Sequence, residues 1–202
     1  MTYKILQVAI LLSGALIVAQ PAAADGNAED GAVLGYSCLG CHGIEGYRNA
    51  YPSYRVPRLG GQKPEYVKAA LLGYRDGSRK HPTMNAQAAS MTDEDIDNVV
   101  AWLATYGAAA DNVTAEDVAH IEAATACLAC HAESGANVIP APPVLSGQHA
   151  EYIKHALKAY QNNERQGSVM NAFAAALSDD DIKAIADFYS SQEGLTTTLT
   201  EE

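Results

Sequence analysis

Every cysteine of this chain lies in one of two short motifs, Cys38-Leu39-Gly40-Cys41-His42 and Cys127-Leu128-Ala129-Cys130-His131. Thiols two residues apart could form a redox dithiol or half a zinc site, and four cysteines could pair as disulfides. The histidine directly after each second cysteine separates these readings. C-x-x-C-H is the attachment signature of c-type haem, in which the two thiols add across the vinyl groups and the adjacent imidazole faces the iron. Two copies that use all the cysteines predict two covalently bound haem c groups. Cys38, Cys41, Cys127 and Cys130 are then the attachment points, and His42 and His131 the proximal iron ligands.

The motifs sit inside a longer internal repeat. Pro57-x-Leu59-x-Gly61-Gln62 recurs as Pro143-x-Leu145-x-Gly147-Gln148, and Glu65-Tyr66-x-Lys68 as Glu151-Tyr152-x-Lys154. Met84-Asn85-Ala86 recurs as Met170-Asn171-Ala172, and Asp93-x-Asp95-Ile96 as Asp179-x-Asp181-Ile182, all at an offset of 86 residues. The offset is 89 at the haem motifs, so the two loops after them differ in length by three residues. A thioether fills the sixth position of a histidine-ligated haem and raises its potential. Met84 and Met170 stand opposite each other in the repeat and are the expected distal ligands, whereas Met91 falls opposite Leu177 and reads as a core position.

The pattern between the motifs is helical, giving an all-α class of two tandem helical domains. Short helices are expected over 29–37 and from Thr114 toward Cys127, feeding the two haem motifs. Pro64 suits the first turn of a helix through Tyr74 that ends near Gly77, with Val67, Leu71 and Tyr74 on one face. Thr92 and Ser178 each precede acidic runs that suit the start of a helix. A chain of 202 residues accommodates two small domains. Phe and Trp are scarce, at two and one, so protein side chains alone make a thin core and a cofactor is expected at its centre. The expected divisions are a signal segment over 1–24, a first domain over 25–106, a linker over 107–113, a second domain over 114–192 and a mobile polar tail over 193–202.

Lys4, an apolar run over 5–19 and Ala22-Ala23-Ala24 make up a secretory signal, with cleavage expected after Ala24 and the periplasm as destination. The run is shorter than the roughly 20 residues a membrane span needs, so no stable membrane insertion is expected after cleavage. A net charge of −11 argues against nucleic acid and anionic membranes as partners. Arg48, Arg55 and Arg58 form a local exception, suited to contact haem propionates. Tyr47, Tyr51 and Tyr54 accompany them, and His81, His120, His149 and His155 are expected at the surface, with His81, three residues before Met84, also open as a rival iron ligand.

Taken together, the paired haem motifs, P-x-L-x-G-Q followed by E-Y-x-K, and M-N-A before a D-x-D-I helix resemble the cytochrome c4 family over about residues 25–192. The resemblance implies a periplasmic dihaem carrier whose domains face each other through their propionate edges and which passes electrons between redox proteins, such as a dehydrogenase and a terminal oxidase. It carries the same ligand assignments: His42 and Met84 on one iron, His131 and Met170 on the other. A haem closed on both faces by protein has no site for a substrate, so no enzymatic activity is expected. The rival readings are an electron-transfer subunit bound in a larger dehydrogenase or oxidase, and a haem enzyme in which one iron has lost its methionine.

Overall fold

The computed structural model describes residues 26–109, 112–132 and 141–197. The signal segment and its cleavage site, residues 110–111 of the linker, most of the second post-motif loop and residues 198–202 lie outside these. Among the described residues the regular structure is helical, with β pairing confined to two isolated bridges.

In the first half, α1 (Ala28–Gly35) leads through a 3-10 turn into α2 (Leu39–His42), followed by α3 (Pro64–Asp76), α4 (Pro82–Ala88) and α5 (Asp93–Ala104). In the second half, α6 (Leu128–His131), α7 (Ala150–Gln161), α8 (Ser168–Ala175) and α9 (Asp179–Ser191) repeat α2 to α5. Pro64 occupies the first turn of α3, and Gly77 closes that helix in the left-handed conformation at φ 81°. Thr92 with Asp95, and Ser178 with Asp181, form reciprocal capping boxes at the starts of α5 and α9. Each half has its own core: Val67, Leu71, Ile96, Val99 and Leu103 in the first, and Ile153, Leu157, Ile182, Ile185 and Tyr189 in the second. Met91 packs on the first core and Leu177 on the second, in keeping with their paired positions.

The expected helix from Thr114 does not form. Thr114 and Asp117 make the capping contacts, but the chain continues as turns and then a 3-10 segment, Glu122–Cys127. The first half shows why. A Cβ on Gly31 would lie 1.9 Å from the Asn98 carbonyl oxygen, and one on Gly35 would lie 2.2 Å from the Trp102 ring, so only glycine permits α1 to cross α5 so closely. Counted from the haem motifs, His120 and Ala124 stand at those two positions in the second half. His120 instead remains exposed, as expected, with its ring edge-on to Phe188.

The segment after the last helix of each half runs back beneath its P-x-L-x-G-Q loop. Ala109 donates its N–H to Gly61 O, and Leu195 donates to Ser146 O, both at 2.9 Å. The mobile tail is therefore corrected for residues 193–197. Leu195 is 3% exposed, and Thr196 exchanges two backbone hydrogen bonds with Gly60 of the first half. The reason is apolar burial: Leu195 fits under Gly147, an anchor hidden in a polar stretch. Gly147 has φ 77°, and a Cβ there would meet the Leu195 nitrogen at 2.7 Å. Replacing Gly147 by Ala is expected to cost about 2–4 kcal/mol, from left-handed strain plus overpacking, seen as a lowered midpoint in denaturant unfolding.

Candidate haem-binding cleft

Each haem motif ends a single helical turn, and the histidine closing it is held from behind. The Nδ1–H of His42 donates to the Pro57 carbonyl at 2.8 Å, and that of His131 to the Pro143 carbonyl at 2.9 Å. A carbonyl can only accept, so the proton is on Nδ1 and the lone pair on Nε2, the tautomer a metal ligand needs. Both rings are buried. Burial pushes the His42 imidazole down, outweighing the Pro57 carbonyl, which favours the charged form. The four cysteines are free and partly buried, and burial raises the Cys38 and Cys127 thiols. Protonated thiols in apolar surroundings are unlike the activated thiolate of a redox dithiol.

These groups open onto one continuous cleft of about 1760 Å³, its open side included, which extends across both halves. Cys38, Cys41, His42 and Met84 line it from the first half, and Cys127, His131 and Met170 from the second. Cys130, the remaining expected site residue, is partly buried but does not line the cleft. With a predominantly apolar lining that includes Val67, Leu71, Leu145, Ile153 and Leu157, and with the thiols, imidazoles and thioethers it gathers, the cleft fits two haem groups.

The methionines come from the first turns of α4 and α8, and the asparagine after each holds its helix to the preceding loop. Asn85 Nδ2 donates to the carbonyls of Tyr74 at 2.6 Å and Arg79 at 2.9 Å, while its Oδ1 accepts from His81 N–H at 2.7 Å. Asn171 repeats all three contacts with Tyr160, Arg165 and Gly167. The repeated M-N-A string held this signal, which reading the methionine alone left out.

The two halves meet through groups that sequence reading had placed elsewhere. His81 and His149 are buried rather than exposed, at 7% and 6%, and His155 is half-buried, stacked on Tyr54 at 4.4 Å. These corrections share a cause: Tyr54 packs against both His81 and His155, and His149 sits in the field of Arg58 and Glu45 of the opposite half. Helical periodicity marks the face turned to a helix's own core, not the face turned to a second domain. Arg48 pairs with Glu151 at 2.5 Å, and Arg58 bonds to Gly147 O, Thr197 and Glu45. The arginine cluster thus ties the halves together, and Arg58 also borders the cleft. Tyr54 is buried, whereas Tyr47 and Tyr51 are exposed.

Fold and site together define a dihaem c-type cytochrome. The family model "Cytochrome c" matches residues 28–107, and that of "Cytochrome C oxidase, cbb3-type, subunit III" matches residues 114–188. The chain is 30% identical to cytochrome c4 of Pseudomonas aeruginosa, covering 82% of this chain and 88% of that one. It is 31% identical to the thiosulfate dehydrogenase electron acceptor of Stutzerimonas stutzeri, covering 76% and 77%. The reduced cytochrome c4 of Pseudomonas stutzeri superposes with a TM-score of 0.66 at 26% identity, over 83% of this chain and all of that one. A thiosulfate dehydrogenase of Marichromatium purpuratum gives the same TM-score at 27% identity, over 82% of this chain and 40% of that one. The chain belongs to the cytochrome c4 family, whose members carry electrons.

Proposed function

We propose that this protein is an exported, diffusing carrier that moves electrons between redox proteins through two haems of like construction. Cys38 and Cys41 bind the first haem and Cys127 and Cys130 the second; His42 and Met84 ligate one iron, His131 and Met170 the other. The domains are those read from the repeat, over 25–106 and 114–192, and residues 1–24 form the signal that takes the chain to the periplasm. Among the described residues no helix is long and apolar enough to cross a membrane.

One observation carries the reading. Each half presents to the same cleft a buried imidazole whose Nδ1 is fixed by a proline carbonyl and a methionine at the head of a stapled helix. Bound haem supplies a one-electron iron couple. The chain's own groups fix the imidazoles, seat the thioethers and keep water out, so that electron gain requires little rearrangement. With His42 and Met84 holding one iron and His131 and Met170 the other, neither would be open to a reactant. Carbon monoxide added to the reduced native protein is expected to leave its spectrum unchanged, and a carbon monoxide complex would overturn the carrier reading in favour of a haem enzyme.

The asparagine staple gives a second test. Asn85→Ala strips partners from two backbone carbonyls and one N–H, at about 1–3 kcal/mol for each buried group left unmade. The first haem is expected to lose its methionine on mild warming, seen as loss of half the near-infrared thioether-to-ferric-iron absorption.

A narrower reading, service as the electron acceptor of a thiosulfate dehydrogenase, is favoured by the likeness to that acceptor and to a solved dehydrogenase. Exposed Val33, Tyr36, Ile44 and Tyr51, on either side of the first haem motif, suit a docking face. Reduction by purified thiosulfate dehydrogenase plus thiosulfate within the enzyme's turnover time would support it, and no reduction would dismiss it.

A further inference from the structure

The two helices that carry the methionines are fastened alike except at one point. Asn85 and Asn171 hold the first turns of α4 and α8 to the loops before them. Their far ends are tied by residues that correspond in the repeat. Arg75 donates to the Met91 carbonyl at 2.9 Å, and Gln161 to the carbonyls of Ala174 at 3.0 Å and Leu177 at 2.7 Å. The starts differ. His81 caps α4, its ring Nδ1 accepting from the Met84 N–H at 3.4 Å, and Pro82 follows in the first turn. The repeat puts Gly167 opposite His81 and Ser168 opposite Pro82, and α8 begins on Gly167 with no side-chain cap.

The first N–H groups of a helix have no partner within it, and a turn left uncapped frays first. In α4 the cap falls on the backbone of the methionine itself, so opening the turn and withdrawing the sulfur are one movement. The His81 ring is held where it is. It is 7% exposed, and Tyr54 lies edge-on to it with ring centroids 6.1 Å apart, itself stacked on His155 of the second half. Asn85 closes the turn from the other side, accepting from the His81 N–H at 2.7 Å. In α8 only that half of the exchange survives: Asn171 accepts from the Gly167 N–H at 2.9 Å, and glycine has no side chain to return to Met170. Proline widens the difference, because its φ is preset for a helix start and it has no N–H to satisfy. Val169 and Phe173, on either side of Met170, are exposed where α4 has Thr83 and Gln87, so less of the apolar surface of α8 helps to hold it down. Nor does the His81 ring compete for the iron. Accepting at Nδ1 puts its proton on Nε2, which leaves no free lone pair there.

We propose that His81 is the positioning residue for Met84, keeping that thioether on the first iron, and that Met170, which has no such cap, is the ligand that yields first, so that the second haem is the one an added ligand reaches. The inference rests on the reading of two methionine-ligated haems. Both irons stay closed to carbon monoxide in the reduced protein; the difference shows when a competing ligand is added to the ferric form.

The test is an imidazole titration of the ferric holocytochrome, followed by its near-infrared thioether-to-iron absorption, with intact mass confirming two haems. Met84→Leu and Met170→Leu proteins each keep one absorbing haem and so assign the two steps. A cap is worth about five- to tenfold in the opening of a helix end. The Met170 absorption is therefore expected to fall at about five- to tenfold lower imidazole than the Met84 absorption. His81→Ala is expected to bring the Met84 step down by the same factor and to leave the Met170 step in place. His81→Asn, whose amide oxygen can accept from the same N–H, is expected to return the Met84 step to near its wild-type position, which a ring that only filled space would not allow. Coincident steps in the wild type, or Met84 lost first, would overturn the proposal, and this order decides the matter if His81→Ala does not load both haems. An unmoved Met84 step in His81→Ala, or an alanine effect that asparagine does not relieve, would overturn it as well. So would a Met84→Leu protein whose first haem shows a bis-histidine spectrum that is lost on adding His81→Ala, because His81 would then be a ligand. Two haems by mass without thioether absorption would sink the methionine-ligated reading, and a mass short of two haems the dihaem reading, each taking the proposal with it.

Discussion

Replacing Met84 by Leu is expected to yield a protein whose reduced form binds one carbon monoxide per chain, and Met170→Leu to yield the same at the other haem. The substitution is nearly volume-conserving, so packing against the two cores, where both methionines lie partly buried, is kept to within about 1.5 kcal/mol. What leucine lacks is a sulfur lone pair. The sixth position opens, and carbon monoxide binding rises from none to one per chain in each single variant and two in the double variant. The potential of the altered haem falls too, because thioether ligation raises the potential of a histidine-ligated iron. Axial ligands span about 0.8 V in haem proteins, so a fall on the order of 0.2 V is expected at that haem in Met84→His, which closes the site with imidazole. Carbon monoxide titration and spectropotentiometry of the single variants check both effects. A Met84→Leu protein that stays closed to carbon monoxide would remove Met84 from the iron.

Replacing both Gln62 and Gln148 by Ala is expected to separate one unfolding transition into two. Gln62 is 6% exposed and Gln148 4%. Gln62 Nε2 donates to Val144 O at 3.1 Å, and its Oε1 accepts from Val144 N–H at 2.9 Å. Gln148 does the same with Arg58, at 3.0 and 2.9 Å. Each side chain thus completes a peptide group of the opposite domain, as a neighbouring strand would. The alanines leave four such groups without partners, each costing about 1–3 kcal/mol where water cannot reach. The total, on the order of 4–12 kcal/mol, is comparable with a whole domain's stability of about 5–15 kcal/mol. Scanning calorimetry of the holoprotein is the check, with haem mass unchanged. A single transition within 2 °C of wild type would show that the domains are held together elsewhere.

Much of this was legible in the sequence because the duplication works as an internal alignment. Residues that recur at an offset of 86 include the methionines, the asparagine staples, the clamping glutamines and one pair of positive-φ glycines, Gly61 and Gly147. Cys-x-x-Cys-His announced the chemistry, and capping hydroxyls with acids marked α5 and α9. The part that stayed hidden depends on the second domain. Arg79 and Arg165 recur at the same offset, but nothing local says that a guanidinium reaches a tyrosine of the opposite half rather than water. His149 looks like a polar loop residue until the opposite half comes against it, and His81 until Tyr54 packs on it. The lost helix before Cys127 turned on a comparison between halves, glycine against His120 and Ala124, because α1 crosses α5 through a contact only glycine permits.

The central claim is two irons in one chain, each between an imidazole and a thioether, and it is tested most directly by counting. Ferric protein whose intact mass carries two haems should show near-infrared thioether-to-iron absorption worth two methionine-ligated haems, disappearing as two electrons are added. Absorption worth one haem or none would contradict the account.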